Sequence, residues 1–349
     1  MMSASMTATV PPATPPLQAA GADWAAAVAP VAGALRELDA RLHAQAAEFD
    51  PGIAPFLEYA LDSQGKRLRP VLALLSGAAT RPDGAPDALH VDLAMVMEMI
   101  HLATLVHDDI MDGAEQRRGR PTASLRWGPD LAVLLGDCLF SHALRLCARR
   151  FSQEVSQEIS SAVCEVCTGE ILQTRRRFDL DLSLEDYLRI LRMKTAELFR
   201  VACLLAGRLS GAPAAACDAL GRYGEALGVA YQIYDDCLDL LGREEEAGKT
   251  LGTDLERGKL TLPFLYLLQA LSGAEREAAA QALLHGTPAE RAALVAQARE
   301  RGMLAKSLAF LDKHLAAAAE ALAVLPPSAA RESLAAIAAS VGRAAAALT

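Results

Sequence analysis

The sequence predicts an all-α fold, a single large helical bundle. Three observations carry this. Alanine and leucine dominate a chain that is 52% hydrophobic but only 5% aromatic, and both residues lose little side-chain freedom in a helix. Prolines and glycines fall mostly between apolar stretches, where they punctuate elements. Strand signals are almost absent, because no alternating Val/Ile/Tyr segments flank Asn-Gly or Asp-Gly turns.

The elements follow in order. Residues 1–22 read as a disordered tail, rich in Ala and Pro, in which Pro11, Pro12, Pro15 and Pro16 oppose a helix. The tail has no Lys or Arg, so it resembles neither a secretory nor an organelle leader. Residues 23–349 form one domain. Helices are expected over about 23–48, 52–65, 69–80, 86–111, 129–150, 152–177, 184–210 and 214–241, with four or five shorter ones after residue 259. No uninterrupted apolar run reaches the length of a membrane span. The seven scattered cysteines are odd in number, which fits reduced thiols in a cytoplasmic protein. Cys164 and Cys167 form a lone CxxC with no second ligand pair to complete a zinc site. A net charge of −9 argues against general nucleic-acid binding.

The chemistry concentrates in two acidic clusters. Asp108, Asp109 and Asp112 close a long apolar helix. Residues four apart share a helical face, so Asp108 and Asp112 point together, while Asp109 lies roughly 100° round. Three carboxylates at a helix C-terminus oppose the macrodipole and need a compensating cation. Asp235, Asp236 and Asp239 repeat the spacing after a second apolar helix. Oxygen-only ligands suit Mg²⁺ bridging to phosphates. Two basic clusters accompany them: Lys66, Arg67 and Arg69, and then Arg117, Arg118 and Arg120. Lys and Arg beside helix N-termini bind diphosphates, and two clusters imply two anionic groups. Lys194, Thr195, Gln232, Lys249 and Lys259 are further polar residues in or after apolar helices.

These segments, taken in order, resemble the trans-isoprenyl diphosphate synthase (polyprenyl synthetase) family, and most of all its medium- and long-chain, octaprenyl-type members. The resemblance covers about residues 30–325. It rests on GKRLRP at 65–70, DDIMD at 108–112, RRGRPT at 117–122, GEILQ at 169–173, KTAELF at 194–199, YQIYDDCLD at 231–239, GKTLGTDL at 248–255 and GKLTLP at 258–263.

The resemblance implies a bundle with a central cavity and the head-to-tail condensation of isopentenyl diphosphate with an allylic diphosphate. It implies about three Mg²⁺ ions per site, held directly by Asp108, Asp112 and Asp235, with Asp109, Asp236 and Asp239 completing the acidic walls. Lys66, Arg69, His101 and Arg118 would hold isopentenyl diphosphate. Arg117, Lys194, Thr195, Gln232, Lys249 and Lys259 would hold the allylic diphosphate, and Lys194, Thr195 and Gln232 would serve its ionisation. A homodimer is also implied.

Short-chain members carry an aromatic four or five residues before the first Asp. Here those positions are Thr104 and Ala103. The missing floor predicts a C30–C50 product whose chain passes Ile100, Met97 and Val96 on the same face. Met97 lies roughly 16 Å below Asp108, so closure there with a C20 product is the alternative. A terpene cyclase would replace the second Asp-rich motif, and a non-catalytic partner subunit would have lost metal carboxylates. Neither departure is present.

Overall fold

The computed structural model describes residues 21–62, 65–241 and 253–348. The expected tail over 1–20 and Lys249, with most of its GKTLGTDL segment, lie outside the described residues. The first long helix is broken: α1 (Gly21–Val28) and α2 (Ala32–Gln45) are joined by a 3₁₀ turn at Ala29–Val31. Pro30 supplies no N–H for an α-helical bond there.

Then come α3 (Ala54–Leu61), α4 (Leu68–Thr80) and α5 (Ala88–Met111). Asp87 caps α5, its carboxylate accepting from the Leu89 and His90 amides. α6 (Ala123–Trp127), α7 (Pro129–Arg150), α8 (Gln153–Arg175) and α9 (Leu184–Leu191) follow. Ser152 and Ser183 cap the last two through the Val155 and Asp186 amides. α10 (Glu197–Leu209) and α11 (Ala214–Leu241) complete the wall of the bundle.

α4, α5, α10 and α11 form its centre, with α7 against α5 and α8 against α10. Met303–Leu322 packs on α11, and Ala329–Ala346 closes back on α4 and α1. Tyr223 of α11 is fully buried and donates to the Leu334 carbonyl at 2.8 Å. α5 and α7 are long and apolar enough to cross a membrane by length and composition, but 72% of that stretch of α5, and 44% of that of α7, is buried in the bundle.

Three local features escape sequence periodicity. One is α6. Another is a two-residue hairpin, β1 (Gln116–Arg117) antiparallel to β2 (Arg120–Pro121). Its turn residues Arg118 and Gly119 both have positive φ, 55° and 72°, as a twist-matched two-residue hairpin requires. The third interrupts the helix expected over 184–210: Arg192–Ala196 is π-helical.

Candidate active site

One cavity of about 970 Å³ opens where the C-terminal half of α5, the hairpin, α8, α9, the π turn and α11 converge. The Lys66–Arg69 segment enters it from the start of α4. The π turn swings Lys194 and Thr195 into its wall. α8 approaches so closely that a Cβ on Gly169 would lie 2.6 Å from the Lys194 amide nitrogen.

The two acidic clusters face this cavity from α5 and α11. Asp108, Asp112, Asp235, Asp236 and Asp239 line it. Asp109 does not: it is buried and ion-paired with Arg117 at 2.6 Å. Asp109, expected to complete a metal wall, lies about a quarter-turn round from Asp108 and is held by Arg117.

Asp112 is met by Lys259 at 3.3 Å and by Arg177 at 3.2 Å. Burial alone would raise its carboxyl, but Lys259, Arg257 and Lys194 together hold it below the usual range. Burial raises the Asp108 carboxyl despite Lys194. Lys194 pairs with Glu170 and donates to Gln173 Oε1 at 2.7 Å. Burial opposes its charge, but Asp108 and Glu170 keep its pKa above the ordinary lysine value.

On α11 Asp236 and Asp239 accept from neutral donors. Tyr187 Oη donates to Asp236 at 2.7 Å and the Gln232 amide donates to it at 2.8 Å. Complete burial pushes Asp236 up to about 7. Asp239 accepts from the Asp254 amide at 3.2 Å. Phe178 anchors the turn that presents Lys259: its amide donates to the Gly258 carbonyl at 2.8 Å, and its ring fills the space where a Gly258 Cβ would sit.

Cationic side chains also line the cavity. Burial lowers Lys66 to about 8 and Arg69 to about 10. The Arg69 guanidinium stacks over Phe199 at 4.7 Å. Burial, with Arg69 and Arg118 close by, drives His101 well below the ordinary imidazole value, so it is neutral. Arg67, in a left-handed conformation, spends its charge on Glu98 at 3.0 Å and Asp39 at 3.3 Å. It braces the segment as well as touching the cavity.

The chain-length residues divide. Thr104 lines the cavity. Ala103, Ile100 and Met97 are fully buried in the core and contribute nothing to the lining. Apolar lining of the cavity also comes from Phe140 of α7 and Val166, Cys167 and Ile171 of α8. Sequence reading also missed Glu170, Gln173, Arg177, Tyr187 and Arg257. Only the first two carried a signal, as part of GEILQ at 169–173.

Among the described residues, no three carboxylate, thiolate or imidazole groups converge on one point. Two oxygen-rich walls joined across a cation-lined gap suit a metal whose coordination is completed by an anionic ligand.

Comparison with known proteins decides the family. The Polyprenyl synthetase family matches residues 50–300. The chain belongs to the polyprenyl synthetase family. Among its relatives, a heptaprenyl diphosphate synthase component 2 from Geobacillus stearothermophilus is 38% identical over 81% of this chain and 87% of its own length. A nonaprenyl diphosphate synthase from Mycobacterium tuberculosis is 37% identical over 93% and 97%. A Caulobacter crescentus polyprenyl synthase, solved with calcium and isoprenyl diphosphate, superimposes with a TM-score of 0.81 at 35% identity, covering 94% of this chain and 97% of that one. This polyprenyl synthetase is accordingly a trans-prenyltransferase, a polyprenyl diphosphate synthase with the all-α isoprenoid synthase fold.

Proposed function

We propose that the enzyme uses Mg²⁺ to condense isopentenyl diphosphate with farnesyl diphosphate or a similar allylic primer, and that it repeats the step to a C30–C50 product. The observation that carries this reading is that Asp108 and Asp112 of α5, Asp235 and Asp239 of α11, and Lys66, Arg69 and Arg118 all line one cavity. The oxygen-only donor set fits Mg²⁺. Asp108, Asp112 and Asp235 would hold the ions, about three with substrate bound. When bound, they offset the charge that develops on the departing diphosphate.

The chain's own groups do the rest. Lys194 and Lys259 flank the acidic walls and take the allylic diphosphate. Lys66, Arg69 and Arg118 take isopentenyl diphosphate, whose double bond attacks the allylic cation. Neutral His101 can donate to a phosphate oxygen without adding charge. The side-chain oxygens of Thr195 and Gln232, both in the cavity lining, are placed to stabilise the passing cation. The departing diphosphate is the base for the final proton, so no side-chain nucleophile is needed.

The names of the relatives support a medium or long product. A C20 product is the second reading, favoured by the core packing of Ile100 and Met97 beneath Thr104. The exposed apolar residues Val133, Leu134 and Leu144 of α7 and Ile171 of α8 support a homodimer through that face. Chelation should abolish turnover and Mg²⁺ should restore it, whereas Asp108→Ala should leave no rescue at any Mg²⁺ concentration. Near-normal turnover by Asp108→Ala would overturn the metal assignment.

A further inference from the structure

The two basic segments are far apart in sequence but touch in the fold. The Arg118 guanidinium lies against Gly65, where an added Cβ would sit 2.2 Å from Nη1. Part of what holds the hairpin in place lies outside both basic motifs. Tyr59, near the end of α3, donates from Oη to the Pro121 carbonyl of β2 at 2.7 Å. Its ring is covered by the Arg120 guanidinium at 4.1 Å and the Arg126 guanidinium at 4.6 Å. Trp127 stands edge-on to Tyr59 at 4.9 Å and shares Arg126 at 4.9 Å. Arg120 also donates to the Asp62 carbonyl at 2.9 Å. The second strand of the hairpin is thus clamped to the end of α3, four residues before Gly65.

We propose that Tyr59 and Trp127 are positioning residues for isopentenyl diphosphate. Their cation-stacked platform fixes the hairpin turn so that Arg118 joins Lys66 and Arg69 in a single diphosphate pocket, although neither aromatic side chain lines the cavity. This deepens the proposed function and rests on its assignment of that pocket. The other strand has its own tether, Arg117 to Asp109 at 2.6 Å, and Thr122 Oγ1 donates to the Ala114 carbonyl at 2.7 Å across the base of the hairpin. Loosening the platform therefore acts on Arg118 more than on the allylic side.

The test is steady-state kinetics of the full chain with farnesyl diphosphate and isopentenyl diphosphate, beside thermal melts. Tyr59→Ala and Trp127→Ala should each raise KM for isopentenyl diphosphate roughly three- to tenfold, with KM for farnesyl diphosphate little changed. Tyr59→Phe keeps the stacked ring and loses only the Pro121 bond, so its rise should be smaller. Arg118→Ala is the control for the pocket. If Arg118→Ala raises that KM but the aromatic variants do not, or if they lower the melting temperature while moving both KM values together, the positioning role is overturned. If Arg118→Ala also leaves it unchanged, the pocket assignment fails, and the inference with it.

Discussion

Thr195 Oγ1 donates to Gln232 Oε1 at 2.8 Å, so the π turn is wired to α11 through one amide. The same amide donates from Nε2 to Asp236 at 2.8 Å. Its orientation is fixed by having an acceptor demanded on one side and a donor on the other. Gln232→Leu leaves buried Asp236 with Tyr187 as its remaining side-chain donor in this network and frees Thr195. It should lower kcat/KM for the allylic substrate by roughly 10- to 100-fold. Gln232→Glu sets a second carboxylate beside Asp236 and should be worse. Equal activity of the two variants and the parent enzyme would show that the wiring is idle.

Lys66 should give isopentenyl diphosphate binding an alkaline limit. Burial brings its pKa down to about 8, with Asp235 opposing and Arg118 reinforcing the drop. Binding needs the charged form, so KM for isopentenyl diphosphate should climb as pH rises through that value. For stability the sign runs the other way. The unfolded lysine keeps its proton up to its ordinary value of 10.5, so burying the charge costs stability below about 8. That cost is relieved as pH rises toward the unfolded pKa. Lys66→Arg should flatten the KM profile over this range, and an unchanged profile would remove Lys66 from the pocket.

Thr104 and Ala103 should respond differently to a phenylalanine. Thr104 lines the cavity and Ala103 is fully buried in the core. Thr104→Phe should shorten the product with the first condensation intact. Ala103→Phe should overpack the α5 core and cost about 1–3 kcal/mol of stability. Product analysis beside thermal melts separates the two, and the reverse pattern would show that the growing chain passes Ala103 rather than Thr104.

Gly169→Ala should damage the site through its backbone. The added Cβ meets the Lys194 amide nitrogen at 2.6 Å, and main chain cannot rotate away as a side-chain tip can. The melting temperature and kcat should fall together. An unchanged kcat would show that the π turn tolerates displacement.

Much of this site was legible in the sequence, because helical spacing alone puts Asp108 and Asp112 on one face and repeats the pattern at Asp235 and Asp239. The roles of Lys66, Arg69 and Arg118 came from family resemblance and residue order. What stayed hidden depends on tertiary neighbours. Asp109 was visibly round the helix from Asp108, but only the fold brings Arg117 back onto it. The π turn at Arg192–Ala196 has the composition of an ordinary helix, and its close packing on Gly169 is a tertiary contact that composition does not show. The hairpin strands are two residues long, too short for any alternation to register. Met97 and Ile100 share the face of Thr104, yet periodicity cannot tell core from cavity lining when both are apolar.

The most direct test of the central claim is the product profile of the purified chain incubated with Mg²⁺, isopentenyl diphosphate and farnesyl diphosphate, resolved by chain length after hydrolysis of the diphosphates. The account predicts a ladder of all-trans products ending between C30 and C50. Failure to extend farnesyl, geranyl or dimethylallyl diphosphate would contradict it.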